Sequence, residues 1–310
     1  MKKNRPLIYG PVPSRRLGLS LGVDLVPPKT CDYDCVYCQL GRTSALTARI
    51  EPYVKARDII DALRSKLESG PRPDYITMAG SGEPTLNSEL AAVISGVKEL
   101  CDVPVAVLTN GSLLGAPPVL RACLLANLVL PSLDAGDEEA FRKVNRPCPG
   151  LSFAEVVEGL VGFREDYGGP VWLEVMLLQG INSGDPDIEK MRECIERIGP
   201  DKIHLNTVRR PPAERSARPV PPERLEEIRK MLGPKAVIVR ESSAAAAAKT
   251  AVDEAELLAL IERRPCTRRH IVQAFDINEI EALKVLSRLV EEHLVVSEQV
   301  GGDVFYRGIS

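Results

Sequence analysis

The sequence predicts an α/β fold in which parallel strands alternate with single helices, followed by a small C-terminal helical unit. Two observations carry the prediction. Short apolar runs alternate with amphipathic stretches along the first 240 residues. A compositional break then precedes a segment patterned as helix, helix, longer helix, hairpin.

The strand-like runs are LGLSLGVDLV (near 18–27), DYITMAG (74–80), VPVAVLTNG (103–111), NLVLPSLDA (127–135), VWLEVMLLQG (171–180), DKIHLNT (201–207) and KAVIVR (235–240). Helices are predicted over 55–68, 87–100, 116–126, 137–145, 152–166, 186–198 and 221–232. Asp185-Pro186 opens one of them; Gly199-Pro200 and Gly233-Pro234 close two others. Polar and glycine residues crowd the loops after the strands: GSGEP, TNGS, SLDAG, QGINSG and NTVRRPP. In a barrel of parallel strands those loops form the active face. Six or seven strands favour an incomplete barrel over a closed one of eight. The predicted core is 1–240. Residues 241–250, rich in alanine, read as a linker or as a helix extension. In 251–310, helices at 253–263, 267–275 and 278–293 and a hairpin turning at Gly301-Gly302-Asp303 give the order of a winged helix-turn-helix.

Composition excludes several classes. Of the 310 residues, 44% are hydrophobic and 27% charged, enough for one sizeable core. A formal net charge of −3 gives no global basic field for nucleic acid. No run approaches the roughly 18 apolar residues of a membrane helix. The start MKKNRPLIYGPVPSRR lacks an apolar signal core, so a cytoplasmic location is expected. Eight cysteines in such a chain are expected as metal ligands, redox groups or core residues rather than disulfides.

KTCDYDCVYCQLGR sets Cys31, Cys35 and Cys38 at C-x3-C-x2-C spacing. Three thiolates can hold three irons of a cubane and leave the fourth open. Zinc suits thiolates equally by softness, but closed zinc sites take four ligands. No histidine or fourth cysteine lies within twenty residues on either side. Plain buried thiols are the other alternative, unexpected in a loop after a strand. Cys101, Cys123, Cys148, Cys194 and Cys266 form no paired motif and read as core residues. Cys148, in NRPCPG, is the one near the presumed active face.

With Tyr37 just before the last cysteine, the motif resembles the signature of the radical S-adenosylmethionine (SAM) superfamily. Gly80-Ser81-Gly82-Glu83-Pro84 resembles that family's GGEP element, with Ser81 set between the glycines. TNG at 109–111 and SLD at 132–134 resemble its third and fourth strand ends. The resemblance spans about residues 18–240. It implies a partial TIM-like (β/α)6 barrel and a [4Fe–4S] cluster on Cys31, Cys35 and Cys38. It further implies SAM chelated by the open iron and cleaved reductively to a 5′-deoxyadenosyl radical, which takes a hydrogen atom from a substrate. The stretch from Tyr9 to Cys38 resembles a branch of iron–sulfur oxidoreductases related to the tRNA wybutosine-synthesis enzyme. That enzyme's flavodoxin-like domain has no counterpart here, which implies an external electron donor.

The residues allow parallel readings. Glu83 offers a carboxylate to the SAM ammonium and to the start of a helix at Pro84, and both roles can hold at once. Gly80 and Gly82 allow close backbone approach. Thr109, Asn110, Ser132 and Asp134 suit ribose or carboxylate contacts, or equally turns and caps. Tyr37 suits adenine, or loop packing. Arg15-Arg16, Arg146 and Arg209-Arg210 are candidate contacts for an anionic substrate, with surface charge the plainer reading of each. Lys29 and Lys55 are weaker candidates, and His204 on an apolar strand reads as a core histidine.

Residues 250–310 hold eleven acidic and seven basic residues, a formal −4. The expected recognition helix begins Asn278-Glu279-Ile280-Glu281, placing carboxylates where DNA phosphate would lie. Only Arg263, Arg264, Arg268 and Arg269 form a basic patch. Protein docking or a lid on the barrel is therefore expected over sequence-specific DNA binding. The expected function is a radical SAM enzyme modifying a macromolecule, with RNA and protein both open. A small-molecule or cofactor-building radical enzyme is the alternative. An iron–sulfur DNA-binding regulator would need neither GSGEP nor TNGS.

Overall fold

The computed structural model describes residues 6–239, 254–275 and 277–309; the expected linker at 241–250 lies outside them. Elements run in the order β1 (Ile8–Ser14), β2 (Gly18–Val23), β3 (Thr30–Cys31), β4 (Ala45–Leu46), α1 (Ala56–Ser69), β5 (Tyr75–Met78), α2 (Leu90–Leu100), β6 (Val105–Thr109), α3 (Pro117–Cys123), β7 (Leu128–Pro131), α4 (Glu138–Val144), α5 (Phe153–Asp166), β8 (Trp172–Leu177), α6 (Asp185–Ile198), β9 (Lys202–Thr207), α7 (Pro222–Met231) and β10 (Ala236–Ile238). The C-terminal unit adds α8 (Glu254–Arg263), β11 (Cys266–Thr267), α9 (Arg268–Phe275), α10 (Glu279–Glu291), β12 (Val295–Val300) and β13 (Asp303–Gly308).

Strands β2, β5, β6 and β7 pair in parallel, as do β8, β9 and β10. Parallel bridges Val129↔Val171 and Ser132↔Glu174 join the two sets. Among the described residues β1 and β10 do not pair, so the barrel stays open. Period-2 alternation sorts the side chains. On β8, Leu173, Val175 and Leu177 are fully buried in the core that packs against the helices. Trp172, Glu174 and Met176 alternate with them; Glu174 and Met176 border an interior cavity. Leu17, Ala106, Leu128 and Leu130 form a separate apolar floor. Helix ends follow local rules: Ser152 and Glu155 form a reciprocal capping box at α5. Gly199 ends α6 at φ 64°.

The sequence predicted no strand before residue 18, yet Ile8–Ser14 forms β1, antiparallel to β2. Pro11 and Pro13 read as loop, but prolines are tolerated on an edge strand. The other face of β1 is covered by the C-terminal unit. Val12 joins the core of Leu257, Leu260, Ile261, Ile271, Leu286 and Leu289. There β11, β13 and β12 form a small antiparallel sheet, and β12 and β13 turn through Gly301 and Gly302, both at positive φ.

Candidate cluster and cofactor site

The cysteine loop is clamped from both sides. On one, Lys29 N–H donates to Ser81 O at 2.6 Å and Glu83 N–H to Thr30 O at 3.0 Å. On the other, Asp34 N–H donates to Asn145 O at 3.0 Å, Val36 N–H to Val144 O at 3.0 Å and Cys148 N–H to Asp32 O at 2.8 Å. Gly80 and Gly82 are required by this packing. A Cβ at Gly80, whose φ is +140°, would meet the Asp24 carboxylate. One at Gly82 would meet the Thr30 carbonyl.

Cys31, Cys35 and Cys38 all border one cavity of about 460 Å³, together with Tyr37, Gly80, Gly82, Thr109, Asn110 and Ser132. Thr109 follows from β6 and Ser132 from β7, at the C-terminal ends of the parallel strands, as expected of a barrel site. All three cysteines are free thiols. Among the described residues, no three His, Cys, Asp or Glu side chains gather closely enough to hold one metal ion. A cubane takes each thiolate on a different iron, and the three thiols border one cavity. Burial, then Asp32, pushes the Cys31 thiol well up; burial, then Asp134, does the same for Cys35. Burial also raises Cys38. Such thiols ionise only against strong positive charge, as bound iron supplies.

Three carboxylates stand behind the loop, each occupied by protein donors. Asp32 accepts from Asn110 Nδ2 at 2.6 Å and from the Ser112 hydroxyl. Glu83 accepts from Thr85 N–H (3.1 Å), Thr85 Oγ1 (2.6 Å), Thr109 Oγ1 (2.6 Å) and Asn110 N–H (2.8 Å). Asp134 accepts from the Tyr37 hydroxyl, Asn145 Nδ2 (2.8 Å) and Met176 N–H (2.8 Å). Burial, then Asp32, pushes Glu83 up to about 7, while its donors pull the other way.

The sequence reading offers Glu83 and Asp134 as ligand contacts. Neither borders the cavity, because their oxygens bind the neighbouring strand ends together. Glu83 caps the 3-10 turn Pro84–Leu86, as its helix-start reading expects. Amide donors reach the sulfurs instead: Asn110 Nδ2 lies 3.8 Å from Cys31 Sγ, and Asn145 Nδ2 lies 3.6 Å from Cys35 Sγ. Cys148 is buried and does not border the cavity.

Of the basic candidates, Arg15, Arg16, Arg209, Arg210 and Lys29 border the cavity. Arg146 does not; it pairs with Glu214 at 3.0 Å. Lys55 precedes α1, away from it. His204 is buried, and burial, then Arg16 and Lys202, pushes it down to about 4, so it is neutral. The sequence reading passed over Asp32, Glu174 and Asn206. Strand alternation signals the last two, since Glu174 and Asn206 fall on the phase of β8 and β9 that turns into the barrel.

The sequence model of the radical SAM superfamily matches residues 25–195. A protein named "GTPase Obg" of Brachyspira hyodysenteriae is 35% identical over 303 residues, 96% of this chain. The chain spans 45% of that protein's length and has no Gly-Lys pair of the phosphate-binding loop type. "UPF0026 protein MJ1312" of Methanocaldococcus jannaschii is 31% identical over 310 residues, covering 97% of this chain and 95% of that one. A radical SAM methyltransferase from Sphaerobacter thermophilus superposes with a TM-score of 0.52 at 19% identity, over 72% of this chain and 67% of that one; that likeness is one of fold. The family match covers the clamped cysteine loop and the ends of β5, β6 and β7 that surround the cavity. The chain therefore belongs to the radical SAM superfamily, whose enzymes use a [4Fe–4S] cluster and SAM.

Proposed function

We propose that Cys31, Cys35 and Cys38 hold the [4Fe–4S] cluster and that SAM lies between it and the backbone of Gly80–Gly82, with Thr109, Asn110 and Ser132 beside it. When bound, the cluster and SAM supply a 5′-deoxyadenosyl radical that takes a hydrogen atom from the substrate. The observation that carries this reading is the meeting of all three thiols and all three strand-end polar residues on one cavity. Glu83 and Asp134 act by fixing the strand ends, and Tyr37 by holding Asp134. The barrel interior excludes water from the reacting atoms. An external donor supplies the electron.

The N-terminal stretch supports placing the chain beside the wybutosine-related branch. The C-terminal unit suits a winged helix used as a lid. Arg264, His270 and Gln273 support this, since all three border the same cavity. Anaerobic reconstitution with iron and sulfide, then dithionite and SAM, tests the reading. 5′-Deoxyadenosine is expected from the native protein and none from Cys35→Ala. Equal product from both discards it.

A further inference from the structure

Five arginines border the cavity. Arg15 and Arg16 come from the turn between β1 and β2, Arg209 and Arg210 from the loop after β9, and Arg264 from just past α8. One carboxylate borders it with them: Glu174, 2.8 Å from Arg16 Nη1. Arg210 Nη1 donates to the Gln39 amide oxygen at 3.0 Å, beside Cys38. Among the described residues Arg15, Arg209, Arg210 and Arg264 form no ion pair. The Nε atoms of Arg16, Arg210 and Arg264 are buried without a hydrogen-bond partner among the described residues.

The five charges act on one another. Burial, then Arg264 and Arg15, pushes Arg210 down to about 9. Burial, then Arg16, pushes Arg15 down to about 10. Gathering like charges and leaving buried donors unmet destabilises the empty fold. An anion reverses both penalties. Glu174 occupies Arg16, and the single carboxylate of SAM would match at most one further guanidinium fork, leaving three. A run of phosphates presents several oxyanions at different angles, each able to take a fork bidentately.

We propose that this cradle binds the phosphate groups of the substrate, with Arg264 brought to the site by the C-terminal unit. The inference names the substrate class for the radical SAM reading and rests on it for chemistry, but its binding is measured without turnover. Arg264 also gives the C-terminal unit a direct part in recognition: four arginines belong to the barrel, and the fifth arrives only when that unit packs on β1.

The test titrates pyrophosphate into the anaerobically reconstituted full-length protein by calorimetry. Binding is expected, weakening as salt rises. Arg209→Gln, at an exposed position that tolerates change, and Arg264→Gln should each weaken it about tenfold. Arg264→Lys, which keeps the charge and loses the fork, should recover part. Arg192→Gln removes a charge from α6, paired with Glu189 and Glu196, and should leave binding unchanged. Displacement by a free nucleoside triphosphate identifies a nucleotide as the phosphate source. Displacement only by a single-stranded oligoribonucleotide identifies a polynucleotide. The proposal is overturned by no pyrophosphate binding, by equal binding in all variants, by displacement with SAM, or by polyglutamate binding in preference. 5′-Deoxyadenosine formation by the native protein is read separately. Its absence defeats the radical reading and leaves the binding result standing; its presence without pyrophosphate binding defeats the cradle alone.

Discussion

Arg263 Nε lies 2.6 Å from Asp24 Oδ2, and the other oxygen of Asp24 accepts from Ser81 N–H at 2.8 Å and Ser81 Oγ at 3.0 Å. One carboxylate thus joins the C-terminal unit to the GSGEP turn that clamps the cysteine loop. Arg263 is 2% exposed, donates to Ala259 O and Pro6 O, and stacks over Tyr9. The serine between the two glycines, a departure from the family's GGEP element, has this partner as its physical reason.

Asp24→Ala should therefore destabilise the full chain by about 3–5 kcal/mol, because it strands a buried guanidinium. Asp24→Ala with Arg263→Met should recover much of that loss, since no buried charge remains unmatched. Urea unfolding of the native protein, both single variants and the double variant checks it. Losses that simply add would show that the two side chains are not coupled.

Much of the site was legible because its parts are local. Cys31, Cys35 and Cys38 lie within eight residues, and each strand-end motif announces itself by composition. Glu83 was found, but not all its protein partners: the sequence shows a carboxylate beside Pro84, while only the fold brings Thr109 Oγ1 and Asn110 N–H to it. Arg264 was read only as part of a basic patch with Arg263, Arg268 and Arg269, because its place at the cavity depends on packing against β1, some 250 residues earlier. β1 itself was hidden by Pro11 and Pro13, which local rules assign to loop.

Glu83 accepts four hydrogen bonds, two of which, from Thr109 Oγ1 and Asn110 N–H, join the turn after β5 to the end of β6. Glu83→Ala leaves those buried donors unmet, at about 1–3 kcal/mol for each group that water cannot reach. Loss of thermal stability should therefore accompany loss of SAM affinity. Glu83→Gln, which keeps the shape and one acceptor oxygen, should lie between. Melting curves and equilibrium dialysis with SAM measure the two effects. A Glu83→Ala protein that binds SAM poorly yet melts like the native would return Glu83 to direct ligand contact.

His204 gives the fold a pH dependence of known sign. It packs edge-on against Trp172 at 5.3 Å, with Nδ1 4.0 Å from Glu174 Oε1; Arg16 and Lys202 are the cations acting on it. Its pKa falls from 6.5 to about 4 on folding, so between those values the unfolded chain binds the extra proton. Stability from His204 is full above 6.5 and is lost as pH falls toward 4. Native protein should lose on the order of 2–3 kcal/mol more than His204→Leu between pH 7 and 4. Comparing urea midpoints of the two proteins at each pH cancels contributions from other groups. Parallel curves would mean that His204 titrates normally.

In the proposed cluster site, Asn145 is placed to act through Cys35. Its Nδ2 lies 3.6 Å from the sulfur and also donates to Asp134 at 2.8 Å, while Tyr37 and Met176 N–H continue to hold Asp134 if the amide is removed. A donor aimed at a cluster sulfur stabilises the reduced, more negative state and raises the reduction potential. Asn145→Ala should thus retain full iron and sulfide but titrate at a more negative potential. Asn145→Asp should titrate lower still, because it replaces a donor with negative charge. Redox titration followed by electron paramagnetic resonance gives both values. Loss of iron in Asn145→Ala would mark the residue as a support of the loop, and an unchanged potential at full occupancy would show that its amide does not act on the cluster.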